Sequence, residues 1–122
     1  MSGTATVLDS GKTAEMSTQA VLQNHLRAAR IGVEAVMEDF TDHSVLITHQ
    51  ATYRGLAEIR GFFTALFKDL PAGFFEAMKM HRQEVVGEVA YILWERKPQI
   101  PYATDTFVVR NGKILVQTFA AM

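Results

Sequence analysis

Cysteine is absent from the 122-residue chain, which removes disulfide frameworks, thiolate nucleophiles and zinc-thiolate sites together. An excess of one charge is equally missing. Twelve basic against thirteen acidic residues leave a net charge of -1, so the balance argues for no nucleic-acid and no anionic-membrane partner. No apolar run approaches a membrane span, and the N-terminus lacks the basic start and apolar centre of a signal peptide, so a cytoplasmic location is expected. Prolines number only three, and no repeat, linker or low-complexity tract interrupts the chain. What remains, 48% hydrophobic and 20% charged, is ordinary for one domain with one core. Residues 1–15 read as a flexible N-terminal arm and residues 16–122 as that single domain.

Helices come first and strands second, a pattern of α+β type. From Thr13 or Ser17, either of which can cap, Val21, Leu22, Leu26 and Ala29 recur at helical spacing. Gly32 interrupts the period, and Val33, Val36, Met37 and Phe40 resume it on a shorter helix. A strand over Val45–His49 follows. Tyr53-Arg54-Gly55 then leads into a third helix whose broad apolar face carries Leu56, Ile59, Phe62, Phe63, Leu66, Phe67 and Leu70, stopped by Pro71.

After Pro71 the period becomes that of strands: Phe74–Val86, Val89–Arg96, Tyr102–Arg110 and Lys113–Ala121, read as an antiparallel meander. Gly87-Glu88 makes the first turn, and residues 97–101, with Pro98 and Pro101, make the middle connection, since two prolines do not fit a central strand. Asn111-Gly112 is a strong hairpin signal, because a two-residue type I′ turn needs positive φ at both central positions. Asp105 therefore lies on a strand and shares a face with Phe107 and Val109. An ionised carboxylate in such a row is costly to desolvate, so it is either paired or at work in a pocket.

Phe40-Thr41-Asp42-His43-Ser44-Val45, Arg54-Gly55 followed by Ile59-Arg60 and Phe62-Phe63, Trp94, Thr104-Asp105-Thr106-Phe107 and Asn111-Gly112-Lys113-Ile114 occur in an order that spans almost the whole chain beyond residue 15. In that order the chain resembles the nuclear transport factor 2-like superfamily, which includes ketosteroid isomerases and SnoaL-like polyketide cyclases. The resemblance implies an α+β cone-shaped barrel, with helices packed in the concave side of a strongly curved, mostly antiparallel sheet. It also implies a deep, mainly apolar pocket at the open end, between the sheet and the first helix. It is specific for fold and not for activity.

In ketosteroid isomerases a protonated strand aspartate and a helix tyrosine donate hydrogen bonds to the developing oxyanion, while a second aspartate moves the proton. Asp105 matches the strand aspartate by its place upstream of the Asn-Gly hairpin. At the tyrosine position this chain offers Asn24 or His25, and at the base position Thr48 or His49. His49, as a histidine able to shuttle a proton, is the candidate base, expected to converge on one pocket with Asp105. Trp94, Tyr102, Phe107, Gln117 and Phe119 are candidate substrate contacts, beside Asn24 and His25. Tyr102 equally suits a dimer interface. His43 reads as a surface or capping residue, and the facing of His81 depends on strand register.

No pair of histidines stands at i, i+3 or i, i+4 on a helix, and no glycine-rich turn serves a flavin or nicotinamide, so neither metal nor cofactor is expected. Two function classes follow. One is a cofactor-independent isomerase, cyclase, dehydratase or hydrolase acting on a small apolar, carbonyl-bearing molecule. The other is a non-catalytic ligand-binding or protein-association module of the same fold. Relatives bury the convex face of the sheet, here Val108, Val116 and Thr118, across a two-fold axis, which implies a homodimer.

Overall fold

The apolar period through Val21, Leu22 and Leu26 is realised in helix α1 (Ser2–Ala28), which stops one residue short of Ala29, in a computed structural model that describes residues 2–122, with side chains described from Thr13 onward. The helix begins ahead of Thr13 and Ser17, the expected caps, and most of the expected arm, residues 1–12, lies outside the described side chains. Thr18 is fully buried on α1, its hydroxyl lying 2.7 Å from the Ala14 carbonyl and 2.8 Å from that of Gly87. Glu15 accepts from the Gly87 N–H at 3.1 Å, so α1 is fastened to a strand turn far away in sequence.

Helix α2 (Val33–Met37) buries Val36 and Met37, and its exit is pinned at both ends of the following loop. The Ile114 N–H donates to the Asp39 carbonyl at 2.7 Å, and the Ser44 hydroxyl donates to the Ile114 carbonyl at 2.5 Å. Strands β1 (Val45–Thr48) and β2 (Thr52–Arg54) precede helix α3 (Gly55–Asp69). Gly55 has φ +82°, and a Cβ there would stand 3.2 Å from the Asp42 carbonyl oxygen, so the strand-to-helix corner requires glycine. On α3, Ile59 and Phe63 are buried against the core, whereas Phe62, Leu66 and Phe67, and Leu70 just past the helix end, are only half-buried. Burying a side chain of this size contributes about 1.5–3 kcal/mol.

A short 3-10 turn over Phe75–Ala77 then leads to β3 (Lys79–Val86), β4 (Val89–Arg96), β5 (Ile100–Arg110) and β6 (Lys113–Ala121). The six strands run in the order β2-β1-β6-β5-β4-β3, with β1 parallel to β6 and all other neighbours antiparallel. The chain is thus of the expected α+β class, with helices on a curved, mixed sheet. That sheet is open: β2 and β3 are its edges and no barrel closes.

Several local expectations are corrected. The first meander strand starts at Lys79, because Phe74 and Phe75 turn inward ahead of it. Strand β2 carries no strand signal in the sequence, being three residues long with only Tyr53 half-buried. Ile100 and Pro101 belong to β5. They are accommodated where the β4–β5 register slips between Trp94 and Arg96, so the missing proline N–H falls where neither neighbouring ladder is in regular register. His81 falls at the Met80/Arg82 slip of β3, exposed and 2.6 Å from Glu95. The Asn111-Gly112 turn has φ 55° and 73°, as the hairpin requires.

The register slip most important for the interior lies in β6. Val108 pairs Val116 but Val109 pairs Ile114, leaving Leu115 as the extra residue. A bulge inverts which parity faces inward. Ile114 is buried ahead of it, and Gln117 and Phe119 turn to the same inner face after it.

Candidate functional site

Between α1, α3 and the inner face of the sheet lies a cavity of about 70 Å³, counted as the space open to the centres of water-sized molecules. One water needs roughly 10–15 Å³ on that measure, so the space admits several waters or a compact organic molecule. Its walls are largely aromatic: Phe62, Phe63 and Phe67 from α3, Phe74 and Phe75 beyond it, and Trp94, Phe107 and Phe119 from the sheet. Aromatic edges meet aromatic faces around it, with Phe63 and Phe67 at 5.8 Å and Phe74 and Phe75 at 5.0 Å between ring centres. The half-burial of Phe62, Leu66, Phe67 and Leu70 is explained by this space, which they line.

Asp105 opens onto the cavity and is 6% exposed. In the sheet it stands opposite Ile92 of β4 and Phe119 of β6. Its diagonal neighbours have longer side chains that reach across, as cross-strand geometry allows. The Trp94 indole N–H donates to Asp105 Oδ1 at 2.8 Å, and the Gln117 amide donates through Nε2 to Oδ2 at 2.9 Å. Trp94 and Phe119 stack nearly parallel, ring planes 18° apart. Burial pushes the Asp105 carboxyl above its ordinary value of 3.8, while the two donated hydrogen bonds and the nearby His25 work in the opposite direction. Gln117 is itself 3% exposed, and its Oε1 is buried without a partner among the described residues.

The second polar group on the cavity is His25, 6% exposed on α1. Its Nδ1 lies 3.1 Å from Asp39 Oδ2. Three rings, of Phe40, Phe63 and Phe107, pack edge-on to the imidazole with centroids at 5.8, 6.2 and 5.3 Å. A carboxylate at Nδ1 accepts from that nitrogen, so in the neutral ring the lone pair would lie on Nε2, with ring orientation fixed by the packing. Asp39 is in turn held through its own carbonyl by the Ile114 N–H. Sequence reasoning missed Asp39. The available signal was an acidic residue at the end of an apolar helix, fourteen positions from a histidine on the buried stripe, and that spacing points nowhere by itself.

Of the residues singled out in the sequence, Asp105, His25, Trp94, Phe107, Gln117 and Phe119 meet at one cavity. The other three do not. His49 is exposed in the turn after β1 and does not line the cavity, so it does not converge with Asp105. Asn24 is exposed on another side of α1, where its Oδ1 accepts from Arg27 at 2.5 Å beside Glu38 and Lys113. Tyr102, 48% exposed, lies on β5 opposite in facing to Ala103 and Asp105. Among the described residues no three His, Asp or Glu side chains gather as metal ligands.

No family model and no curated protein matches the chain. Solved structures do. A candidate polyketide cyclase from Sinorhizobium meliloti aligns with TM-score 0.67 at 19% identity, covering 82% of this chain and 93% of that one. An NTF2-like protein of unknown function from Mesorhizobium loti aligns with TM-score 0.71 at 13% identity, covering 88% and 93%. A Catenulispora acidiphila protein with a ketosteroid isomerase-like fold, in complex with trimethylamine, aligns with TM-score 0.63 at 13% identity, covering 81% and 82%. At such identities the likeness establishes the nuclear transport factor 2-like fold and leaves activity to be argued from the site. Among the described residues no helix is long and apolar enough to cross a membrane.

Because burial raises the Asp105 pKa, the folded state favours the neutral carboxyl. That contribution to stability is full below about 3.8 and is lost as pH rises through the folded-state value. Asp105→Asn is neutral at every pH, and its amide can donate to Gln117 Oε1 once that side chain turns. The difference in thermal midpoint, variant minus wild type, is therefore expected to grow from about pH 4 to about pH 8. A difference independent of pH would show that the carboxyl is not held as described.

Proposed function

We propose that this chain binds a small, largely apolar, carbonyl-bearing molecule in the aromatic cavity and performs cofactor-independent acid/base chemistry on it, as an isomerase, cyclase, dehydratase or hydrolase. The observation that carries this reading is that one apolar cavity holds both an imidazole backed by a carboxylate, His25 with Asp39, and a buried carboxyl whose pKa burial raises, Asp105. His25 takes the role of general base expected of His49 from the sequence. Support also comes from the neighbours' names, which include a candidate polyketide cyclase and a ketosteroid isomerase-like fold holding a small organic molecule.

In this chemistry His25 Nε2 removes a proton from the carbon next to the carbonyl, and the imidazolium so formed is balanced by Asp39. Charge developing on the carbonyl oxygen is stabilised by Asp105 or by the amide of Gln117, in a space from which the phenylalanines exclude bulk water. The proton is then returned to another carbon, or to a departing hydroxyl. The non-catalytic alternative keeps the same cavity and loses the proton transfer.

Exchange of α-protons of small aryl ketones in D2O, followed by NMR, reads the base whatever the natural substrate is. Wild-type protein is expected to accelerate exchange, His25→Gln to lower the rate by about 10²–10⁴-fold, and Asp39→Asn by a smaller factor. Exchange undiminished in His25→Gln would refute the base. No acceleration by wild type, with ketone bound, would leave the binding module.

The reading extends to a homodimer formed through the outer face of the sheet. Val89, Val108, Val116 and Val45 stand side by side across β4, β5, β6 and β1, and Val89 and Ile47 are each 41% exposed. A two-fold contact covers such a row with its own copy. Sedimentation at micromolar concentration is expected to give a dimer, and Val116→Lys a monomer; a monomeric wild type would remove the proposal.

A further inference from the structure

The imidazole of His25 and the carboxylate of Asp39 stand in a wall between two spaces. On the inner side is the aromatic cavity, which His25 lines and Asp39 does not. On the outer side is a cleft of about 400 Å³ on the same measure, formed by the end of α1, the exit of α2 and the turn at Gly112-Lys113, which Asp39 lines and His25 does not. Asn24, Arg27, Glu38 and Lys113 also line this cleft, so it is polar and wide enough for many waters. The pair joins the two spaces through one contact, Nδ1 to Oδ2 at 3.1 Å.

Both far ends of the pair are open. Gln117 Oε1 is the one side-chain nitrogen or oxygen buried without a partner among the described residues. His25 Nε2 and Asp39 Oδ1 also lack a partner among those residues, so neither is buried: Nε2 borders the cavity, and Oδ1 borders the cleft on a side chain that is 13% exposed. The three rings edge-on to the imidazole keep it from turning, so each nitrogen keeps its own side. The carboxyl is freer. Its last torsion is broad and two-fold, and a half-turn exchanges Oδ1 and Oδ2 without changing the shape of the group.

We propose that His25 and Asp39 form a proton relay through this wall, so that the base exchanges protons with water in the outer cleft while a ligand fills and dries the cavity. Outward, a proton from the ligand binds Nε2, and the Nδ1–H bond breaks as Oδ2–H forms, leaving a neutral ring protonated on Nε2 beside a carboxylic acid. A half-turn of the carboxyl carries the O–H to the cleft, where water takes the proton and the carboxylate is restored. Inward transfer reverses each step. The catalytic use of the relay rests on the function proposed above, whereas the relay itself is a property of the pair.

Charged groups face the pair from both sides. Arg27 of α1, Glu38 of the α2 exit and Lys113 of β6 surround Asp39 in the cleft, and Asp105 faces His25 across the cavity. Arg27 donates to Asn24 and Lys113 donates to the Glu38 carbonyl at 2.6 Å, so both cations have partners other than the relay carboxylate.

Relaxation-dispersion NMR of the His25 ring carbons, at the pH where the ring is half-protonated, gives its rate constant for proton uptake, with toluene as the probe that fills the cavity. In wild type, saturating toluene is expected to leave that rate constant unchanged. In Asp39→Asn the amide oxygen still accepts from Nδ1 but cannot pass a proton on, so uptake is expected to slow by about tenfold or more. Toluene should then stop what remains, since only the cavity route is left. Suppression by toluene in wild type, or an undiminished rate in Asp39→Asn, overturns the proposal; the wild-type measurement decides alone if Asp39→Asn does not fold. If toluene does not bind, the ligand site proposed above is lost, and the rate in Asp39→Asn still decides the relay. Exchange of ketone α-protons together with suppression by toluene would keep the proposed function and remove only the relay.

Discussion

The carboxyl of Asp105 is tolerated inside an aromatic wall because two side chains from neighbouring strands each give it a hydrogen bond. Neither donor is local. Trp94 comes from β4 and Gln117 from β6, so the carboxyl closes only when three strands have paired in register. A one-residue slip on β6 would send Gln117 outward and leave Asp105 half-satisfied, a costly arrangement in a low-dielectric interior. The Leu115 bulge is therefore tied to the polar site as well as to the shape of the sheet.

The same logic organises the opposite wall. His25 sits among Phe40, Phe63 and Phe107, a setting that would exclude a polar ring if Asp39 did not meet its Nδ1. Asp39 reaches that place because the α2 exit is fastened to the start of β6 through the Ile114 N–H. Two polar clusters, one fixed by strand pairing and one by a loop clamp, thus face a space that is otherwise apolar. Such a layout costs the fold stability that an all-aliphatic interior would keep.

Much of this is legible in the sequence where the signal is local. The α3 face from Leu56 to Phe67 follows helical period, and Asn111-Gly112 states its turn chemistry outright. The placement of Asp105 beside Phe107 and Val109 follows from strand alternation alone. What escapes reading depends on contacts between distant segments. The extra residue at Leu115 has no glycine or proline to announce it, and Pro101 is tolerated only because a register slip occurs beside it. His49 stands at a strand end, which favours it in the sequence, yet it is exposed. His25 is legible in a weaker way, since with Leu22 and Ala28 it continues the buried stripe of α1 whereas Asn24 does not. Its partner Asp39 becomes visible only once α2 has folded back against α1.

Titration of the Asp105 side-chain carboxyl by carbon-detected NMR tests the central claim most directly. The account predicts a midpoint above the ordinary 3.8, moving higher still when Trp94 is replaced by phenylalanine, because a hydrogen bond that favours the charged form is lost. A midpoint at or below 3.8, unmoved by that replacement, would contradict it.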